Sequence, residues 1–418
     1  MKIFKMKKVA SALFITMIPV IILLPVCIDL SNNAEGLLSG LDNQFHFIKA
    51  DSYTNFRNEN LPLIENIQNT DTSFYRIEKT YQRSFNDSLG MNYKGVTHYS
   101  SIYNRNFLDF TREIGLSQSW YWNSYFGSTP VTDSLFSIKY ILSKTSMPDS
   151  YSSFGGSGNI AVYENPYVLP IGFMSDIEPG KILYSDNYFE VQNSLLNNLA
   201  KTDKQYFIRQ SDLNCDFDRL EYTFTANYNF PVYIYFPETN NPGGALYVNG
   251  KYVREFLRKD DNYVTYIGQF APGTEVTVSF LTAPYSVDFE NTYVYYLDTG
   301  AFSQTVQALK AGGLYNISYD NGNIKGEVNA SKDGVMFTSI PYDKSFSVKI
   351  DGRKTDISSI DSAFLIFNVK SGRHTVEINF IPRGLSIGIL VSGVCSVILV
   401  LYFAYAITLK KRTKKTRF

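Results

Sequence analysis

Two long apolar runs near the ends of the chain dominate its hydropathy pattern. The first extends from Val9 to Ile28 and the second from Leu385 to Leu409, and neither contains a charged side chain. A helix rises ~1.5 Å per residue, so the first run is ~30 Å long, enough to cross the hydrocarbon of a bilayer. The second run is longer and can span with some tilt. The pattern predicts transmembrane helices over 9–28 and 384–409.

Basic residues flank the outer side of both runs. Four lysines fall within residues 1–8, and six lysines or arginines fall within residues 410–418. Lys and Arg beside a short apolar span stay on the cytoplasmic side of a membrane. We therefore expect both termini to be cytoplasmic, and residues 30–383 to lie outside the plasma membrane of a bacterium.

The first run also has the basic start and short apolar core of a cleaved signal peptide. Its exit reads Pro25, Val26, Cys27, Ile28 and Asp29, which contains no small-x-small cleavage site. Val26 stands where a lipoprotein signal needs a small residue. The sequence therefore favours a retained helix over 9–28, with cleavage as the alternative.

Between the runs, the pattern separates a lead-in segment at 29–75, a mixed part at 76–200 and a strand-rich part at 201–383. The lead-in segment is polar, with a helix expected near Leu61 to Gln68. In the mixed part, apolar positions recur at helical spacing over Asn104 to Ile114. A Gly- and Ser-rich stretch at 152–158 predicts a loop. Two apolar stretches, at 159–163 and 167–173, predict strands.

The strand-rich part contains a repeated pattern. One segment leads into Asn249-Gly250 and another into Asp351-Gly352, and such dipeptides are typical of tight type I′ hairpin turns. In each copy a second glycine further along the chain precedes a strand. The apolar residues of these two strands alternate with polar ones in the same phase. The two turn glycines are 102 residues apart, about the length of one sandwich domain. The repeat predicts β-sandwich modules at 201–300 and 301–383, with a connecting helix at Ala301 to Ala311.

Composition refines this picture only slightly. The 39 basic residues balance the 39 acidic ones, so charge indicates no nucleic acid or other polyanion as partner. Cys215 is the one cysteine between the spans, so no disulfide can form there and a large core must stabilise the domain. The 32 tyrosines and 31 phenylalanines can supply that core. The expected fold is mainly β with some α: tandem antiparallel β-sandwich modules plus a mixed α/β module, flanked by two transmembrane helices.

Motifs of known chemistry are missing from the sequence. The three histidines are far apart, and no zinc spacing, phosphate loop or nucleophile elbow is present. We therefore expect no metal and no cofactor. Glycoside hydrolysis needs two facing carboxylates, and the sequence alone nominates no pair.

The segment from 104 to 144 is the most unusual, because it holds both tryptophans of the chain close to several charged residues. Aromatic faces beside charged groups suit carbohydrate or a polyprenyl headgroup near a membrane. The alternative is a packed aromatic loop with surface ion pairs. The candidate glycan-binding residues are Trp120, Trp122, Asp109, Arg112 and Asp133.

Several long phrases of the sequence resemble a known family. They are FYRIEKT at 74–80, DSLFSIKYILS at 133–143, YENPYVLPIGFM at 163–174, SIPYDKSFSVKIDG at 339–352 and GRHTVEINFIPRGLSIG at 372–388. In this order they resemble the external region of the YfhO family of bacterial membrane proteins.

That resemblance implies a role in glycosylation. The family is similar to GT-C membrane glycosyltransferases and is implicated in decorating lipoteichoic or related wall polymers from a polyprenyl-phosphate sugar. The catalytic acid of such enzymes is expected in a loop among N-terminal helices, ahead of the matched phrases. The run at 9–28 resembles the last helix of that polytopic part, so no catalytic residue carries over to this sequence.

Two functions follow from the resemblance. The first is an external accessory part of a membrane glycosyltransferase system, not catalytic alone, with a polytopic membrane partner and a wall glycan or polyprenyl-linked sugar as ligand. The second is an independent glycan- or wall-binding surface protein without a transferase role. An autonomous glycan hydrolase is a weaker third.

Overall fold

The computed structural model describes residues 2–45, 50–177, 185–236, 244–256, 264–282, 291–320 and 322–415. Within these ranges, side chains are described from residue 20 to residue 408, except at 42, 45, 50, 256 and 282. The chain divides into two compact units, Met1–Pro62 and Leu63–Phe418.

The described residues form eight helices. In chain order they are α1 (Lys2–Phe45), α2 (Ala50–Thr70), α3 (Asp87–Gly90), α4 (Arg105–Glu113), α5 (Pro130–Leu135), α6 (Tyr188–Ala200), α7 (Thr299–Ala311) and α8 (Leu385–Lys415). The helices predicted from the 104–114 and 301–311 patterns are α4 and α7. Asn104 caps α4, because its side chain accepts a hydrogen bond from the Phe107 backbone N–H.

Helices α1 and α8 each contain a segment long and apolar enough to cross a membrane. In α1 it is Val20–Leu41, with mean hydropathy 1.4, and in α8 it is Leu385–Thr408, with mean hydropathy 2.5. No side chain of either segment is buried against the residues that the structure describes. The predicted span at 9–28 lies within α1, but the side chains of residues 9–19 lie outside those described.

The lead-in segment is more helical than its sequence predicts. Instead of one helix near 61–68, α1 continues to Phe45 and α2 runs from Ala50 to Thr70. Ile64 and Ile67 are fully buried, three residues apart on one face of α2. Burial of this face stabilises a helix whose polar sequence alone is a weak signal.

Among the described residues of the mixed part, two sheets are formed by its own strands. A four-stranded sheet has the order β1-β5-β7-β6, with β1 parallel to β5 and the other pairs antiparallel, and a small antiparallel sheet has the order β2-β4-β3. The strands of this part are β1 (Arg76–Lys79), β2 (His98–Tyr99), β3 (Gln118–Ser119), β4 (Trp122–Asn123), β5 (Ile138–Ser143), β6 (Ser152–Ser157), β7 (Ile160–Glu164) and β8 (Gly172–Ser175).

Two predictions for this part were wrong. The Gly- and Ser-rich stretch at 152–158 is strand β6 rather than a loop. A Cβ at Gly156 would lie 2.5 Å from the Ile160 carbonyl oxygen, so only glycine lets strand β6 approach β7 this closely. The glycines that suggested a loop in the sequence are therefore what this strand pairing requires. The strand expected at 167–173 begins only at Gly172, as β8.

The first sandwich consists of two antiparallel sheets, ordered β10-β11-β16-β13-β14 and β15-β12-β17-β9. Tyr222 and Val278 from one sheet pack with Val232 and Ile234 from the other in a common core. Its strands are β9 (Phe207–Arg209), β10 (Asn214–Asp216), β11 (Glu221–Thr225), β12 (Pro231–Tyr235), β13 (Gly244–Val248), β14 (Lys251–Phe256), β15 (Thr265–Gln269), β16 (Glu275–Thr282) and β17 (Tyr293–Leu297).

The second sandwich has sheets ordered β18-β19-β25-β21-β22 and β23-β24-β20-β8. Val348 and Ile378 from one sheet share its core with Met336 and Leu365 from the other. Its strands, besides β8, are β18 (Tyr315–Asp320), β19 (Asn323–Ala330), β20 (Gly334–Pro341), β21 (Phe346–Ile350), β22 (Arg353–Thr355), β23 (Ser358–Ile360), β24 (Phe364–Val369) and β25 (Gly372–Phe380).

The two sandwiches follow the same plan, which confirms the repeat predicted from the sequence. Hairpin β13–β14 turns at Asn249-Gly250 and hairpin β21–β22 turns at Asp351-Gly352, and all four residues have positive φ. The first strand of each hairpin pairs with the strand predicted in equal phase, β16 or β25. The fold class is therefore the tandem sandwich arrangement expected from the sequence.

One strand of the second sandwich comes from far upstream. In the first sandwich β12 is flanked by β15 and by β17, which follows it in the chain. In the second sandwich the corresponding β20 is flanked by β24 and by β8, whose Met174 pairs with Met336. The second sandwich therefore consists of two separate stretches of chain.

A single core joins the mixed part to both sandwiches. Phe136 and Phe189 of the mixed part belong to the same buried cluster as Tyr295 of the first sandwich and Phe364 of the second. The ring of Phe364 lies 4.7 Å from that of Phe110, edge to face. Packing in this shared core therefore holds each sandwich in a fixed position against the mixed part.

Candidate functional site

A large cleft lies between the mixed part and the first sandwich. Its volume is about 1170 Å³. One wall includes α5 and the ends of β5 and β7, and the other includes the β13–β14 hairpin and β15. The two walls come from different parts of the chain. The shape of the cleft therefore depends on the buried core that joins the mixed part to the first sandwich.

Aromatic residues are abundant in the lining of the cleft. Tyr252 on the rim is 55% exposed, and other rings lie deeper. Two rings carry cations above them: the Lys144 ammonium lies 4.5 Å from the Tyr81 ring and the Arg254 guanidinium 5.6 Å from the Phe126 ring. The aromatic lining residues are Tyr81, Tyr125, Phe126, Tyr151, Tyr163, Tyr233, Tyr252, Tyr266 and Phe270.

Asp133 lines the cleft from the first turn of α5 and is almost fully buried. Its carboxylate accepts hydrogen bonds from Ser128 Oγ at 2.5 Å, Tyr151 Oη at 2.6 Å and Tyr125 Oη at 3.2 Å. Burial raises the pKa of Asp133 to about 7, although the three hydroxyl donors oppose that shift. Near neutral pH this group can therefore exist with or without its proton.

Tyr233 on β12 also lines the cleft and is only 1% exposed. Within the described part of the chain, its hydroxyl makes no hydrogen bond. An unsatisfied buried hydroxyl costs about 1–3 kcal/mol. Burial raises the pKa of Tyr233 well above its ordinary value, and the nearby Asp133 charge acts in the same direction, so the hydroxyl stays protonated and able to donate.

The rim of the cleft carries charges of both signs. Lys144, Lys251 and Arg254 lie there with Asp149 and Glu255. Among the described lining residues there, three cations stand against two carboxylates, so this part of the rim has no net negative charge that would repel an anionic polymer.

Four of the five residues predicted to bind glycan lie away from this cleft. Only Asp133 is part of its described lining. Asp109 and Arg112 form an ion pair at 3.5 Å on the outer side of α4, and Asp109 also pairs with Arg105 at 3.0 Å. The structure thus separates Asp133 from the other charged candidates.

The two tryptophans differ in environment although they are two residues apart. Trp120 is 73% exposed at the tip of the β3–β4 hairpin, where the Arg105 guanidinium lies 5.1 Å from its ring. Trp122 is half-buried and stacks on Phe85 at 4.2 Å. The prediction that these residues bind glycan stays a prediction.

Sequence reasoning missed most of the cleft. Tyr233, Tyr151 and Tyr125 were not singled out, since each stands in an ordinary apolar or aromatic stretch. The high tyrosine count of the sequence was a usable signal for an aromatic site, but it does not indicate which tyrosines line the cleft.

Polar residues of the phrase at 74–80 have a structural role. Arg76 Nη1 donates to the Phe136 carbonyl oxygen at 2.6 Å and to Ser339 Oγ at 2.9 Å, which ties β1 to the second sandwich. Glu78 accepts hydrogen bonds from the Thr97 backbone N–H and hydroxyl, at 2.7 and 2.9 Å. These contacts join segments that are distant in the sequence.

Comparison with known proteins identifies the family. The family profile described as "Bacterial membrane protein YfhO" matches residues 4–392. The chain belongs to the YfhO family. It is also 21% identical over 391 residues to a protein of Bacillus subtilis (strain 168) named "Uncharacterized protein YfhO", with 82% of this chain covered. The chain spans 45% of the length of that relative.

Membership of the YfhO family and the two apolar helices make this a membrane protein. The family match extends across both sandwiches and into α8, up to residue 392. The cleft therefore lies within the part of the chain that the YfhO family shares.

Proposed function

We propose that this chain is an external accessory part of a membrane glycosyltransferase system that decorates wall polymers of the lipoteichoic acid type from a polyprenyl-phosphate sugar. In this proposal the cleft between the mixed part and the first sandwich holds the glycan. Both termini are cytoplasmic and residues 30–383 are extracellular. Catalysis belongs to a polytopic membrane partner.

The size and lining of the cleft carry the proposal. Pockets for drug-sized ligands measure about 300–1,000 Å³, and a cleft of about 1170 Å³ has room for several sugar units. Tyrosine offers an apolar ring face together with a polar tip. A sugar presents the same combination, since its ring has apolar faces and hydroxyl edges.

Deep in the cleft, Asp133 and Tyr233 supply polar recognition. The Tyr233 hydroxyl is available to donate, because no described group accepts from it. A sugar hydroxyl reaching Tyr233 would satisfy a group that otherwise costs stability. Asp133 can accept from a sugar hydroxyl if one of its three present donors turns away.

A binding titration with variants tests the proposal. Purified full-length protein in nanodiscs is titrated with a soluble teichoic-type polymer. We expect saturable binding that weakens about tenfold in Tyr252→Ala, since an exposed ring contributes about 1.4 kcal/mol when it stacks on a ligand. Tyr315→Ala is the matched control, because Tyr315 is exposed on β18 and is not among the described lining residues. Absence of saturable binding would overturn the cleft as a glycan site.

A second experiment separates the accessory role from independent wall binding. Affinity capture of the intact membrane protein is expected to bring a polytopic membrane protein with it. The purified chain alone is expected to leave a polyprenyl-phosphate sugar unchanged. Glycan binding without any polytopic partner would favour an independent wall-binding protein, and sugar transfer by the purified chain would refute the accessory role.

A further inference from the structure

A second surface of the mixed part, separate from the cleft, exposes large apolar and aromatic side chains. Trp120 and Tyr121 form the tip of the β3–β4 hairpin and are 73% and 50% exposed. Ile102 in the neighbouring loop is 91% exposed, and Tyr99 on β2 is 44% exposed. We call these four residues the aromatic patch.

The backbone holds the aromatic patch together. The Ser100 backbone N–H donates to the Tyr121 carbonyl oxygen at 2.8 Å, which joins the loop of Ile102 to the hairpin tip. The rings of Tyr99 and Tyr121 lie 6.4 Å apart. Exposed apolar residues that cluster on fixed elements mark an interaction surface, whereas scattered ones need no explanation.

Contacts connect the aromatic patch to the end of the second sandwich from which α8 departs. Asn104, two residues after Ile102, donates through Nδ2 to the Tyr342 carbonyl oxygen at 2.9 Å. Hydrogen bonds from Ser345 lower the pKa of the next residue, Asp343, and the positive charge of Arg383 acts in the same direction. Because α8 begins two residues after Arg383, the patch belongs to the region around the entry of α8 into the membrane.

The register of the second sandwich agrees with this placement. Phe346 at the start of β21 pairs with Phe380 at the end of β25, just before α8. The loop that contains Tyr342 and Asp343 leads directly into β21. The loop contacted by Asn104 and the start of α8 therefore lie at the same end of the same sheet.

We propose that the aromatic patch inserts into the interfacial layer of the membrane that α8 crosses. Trp and Tyr favour the headgroup level of a bilayer, where an apolar ring and a polar tip are both satisfied. Ile102 adds an apolar side chain at the most exposed point. The two described cations of α4, Arg105 and Arg112, are both paired with Asp109, so apolar insertion rather than attraction of these cations to anionic lipid drives the contact.

Native fluorescence can test this proposal, since Trp120 and Trp122 are the only tryptophans of the chain. Full-length Trp122→Phe, which retains Trp120, is reconstituted into phosphatidylcholine vesicles with or without lipid brominated near the headgroup. We expect at least twofold quenching of Trp120 by brominated lipid and weak quenching by aqueous iodide. Trp120→Phe, which retains the half-buried Trp122, is the control and is expected to show little lipid quenching.

Opposite results would overturn the proposal. If iodide quenches Trp120 freely and brominated lipid does not, Trp120 faces water. The patch would then be a surface for a protein partner and not for the membrane. Trp120 shielded from both quenchers would be covered by protein. Ile102→Ser in the Trp122→Phe background is expected to halve lipid quenching, whereas Leu281→Ser, an exposed apolar position on the first sandwich, is expected to leave it unchanged.

Discussion

Asp351 in the second sandwich is the structural counterpart of Asn249 in the first. Each has φ near +50° and donates its backbone N–H to a threonine carbonyl oxygen, Thr375 at 2.9 Å or Thr277 at 2.8 Å. Each also accepts from the backbone N–H of the same threonine through Oδ1. Asp351 additionally contacts His374 Nδ1 at 2.7 Å. The repeated turn thus carries a charge pair in one copy only.

We predict that Asp351→Asn lowers the pKa of His374. The hydrogen bond and charge of Asp351 raise the pKa of this imidazole above its ordinary value. The pair therefore stabilises the fold below about pH 6.5 for as long as Asp351, whose pKa is lowered by the same contact, keeps its charge, and that contribution is lost as pH rises through the raised pKa of His374. Asparagine keeps the contact with Thr375, as Asn249 does with Thr277, but removes the charge.

Titration of the imidazole by NMR measures the effect, and His374→Gln assigns the signal among the three histidines. Asn249→Asp is the control and is expected to leave the His374 pKa in place. An unchanged pKa in Asp351→Asn would assign the shift to another cause.

We predict that Gly352→Val destabilises the protein more than Gly352→Asn. Gly352 has φ +77°, and a Cβ there would meet nothing within 4 Å, so the cost comes from backbone strain rather than a clash. That strain is about 1–2 kcal/mol for an ordinary residue, larger for a β-branched one and smaller for asparagine. Denaturant unfolding of the full chain measures the difference. Equal stability of the two variants would contradict the turn assignment.

We predict that Asp133 makes stability fall as pH rises from about 4 to about 7. Its pKa is raised from 3.8 to about 7 by burial, so the folded state binds a proton that the unfolded state releases. The contribution is complete below about pH 4 and decreases by roughly 4 kcal/mol by pH 7. Unfolding free energy measured across this range should decline less steeply in Asp133→Asn than in the unaltered protein. Parallel pH profiles would show that Asp133 does not titrate in this range.

We predict that a reporter fused after Phe418 is cytoplasmic, because the basic residues of 410–418, which follow the apolar run, stay inside. A reporter active only in the cytoplasm should function there. The same reporter fused after residue 384, before α8, should be inactive, whereas one that requires export should be active. An exported reporter active at Phe418 would reverse the proposed topology.

Local signals explain which features the sequence could predict. The turns at Asn249-Gly250 and Asp351-Gly352 were predictable because each depends on two adjacent residues with positive φ. Helix α4 was predictable from the spacing of its apolar positions. Each of these depends on interactions within about ten residues.

Features built from distant segments were not predictable in this way. The pairing of β8 with β20 depends on register between Phe173 and Phe337, which no local pattern encodes. The cleft unites Tyr81, Asp133 and Tyr266 from different elements. Trp120 and Trp122 drew attention by composition, but only the hairpin geometry decides that one ring is exposed and the other stacked.

The origin of β8 imposes an order of assembly on the growing chain. Synthesis completes Gly172–Ser175 roughly 160 residues before its partner β20, and the whole first sandwich is made in the interval. Until then the edge of β8 that will pair with β20 exposes unpaired backbone groups, a known template for aggregation. A translation product that stops after β17 therefore carries an open edge. The second sandwich can therefore close only when nearly the entire chain has been made.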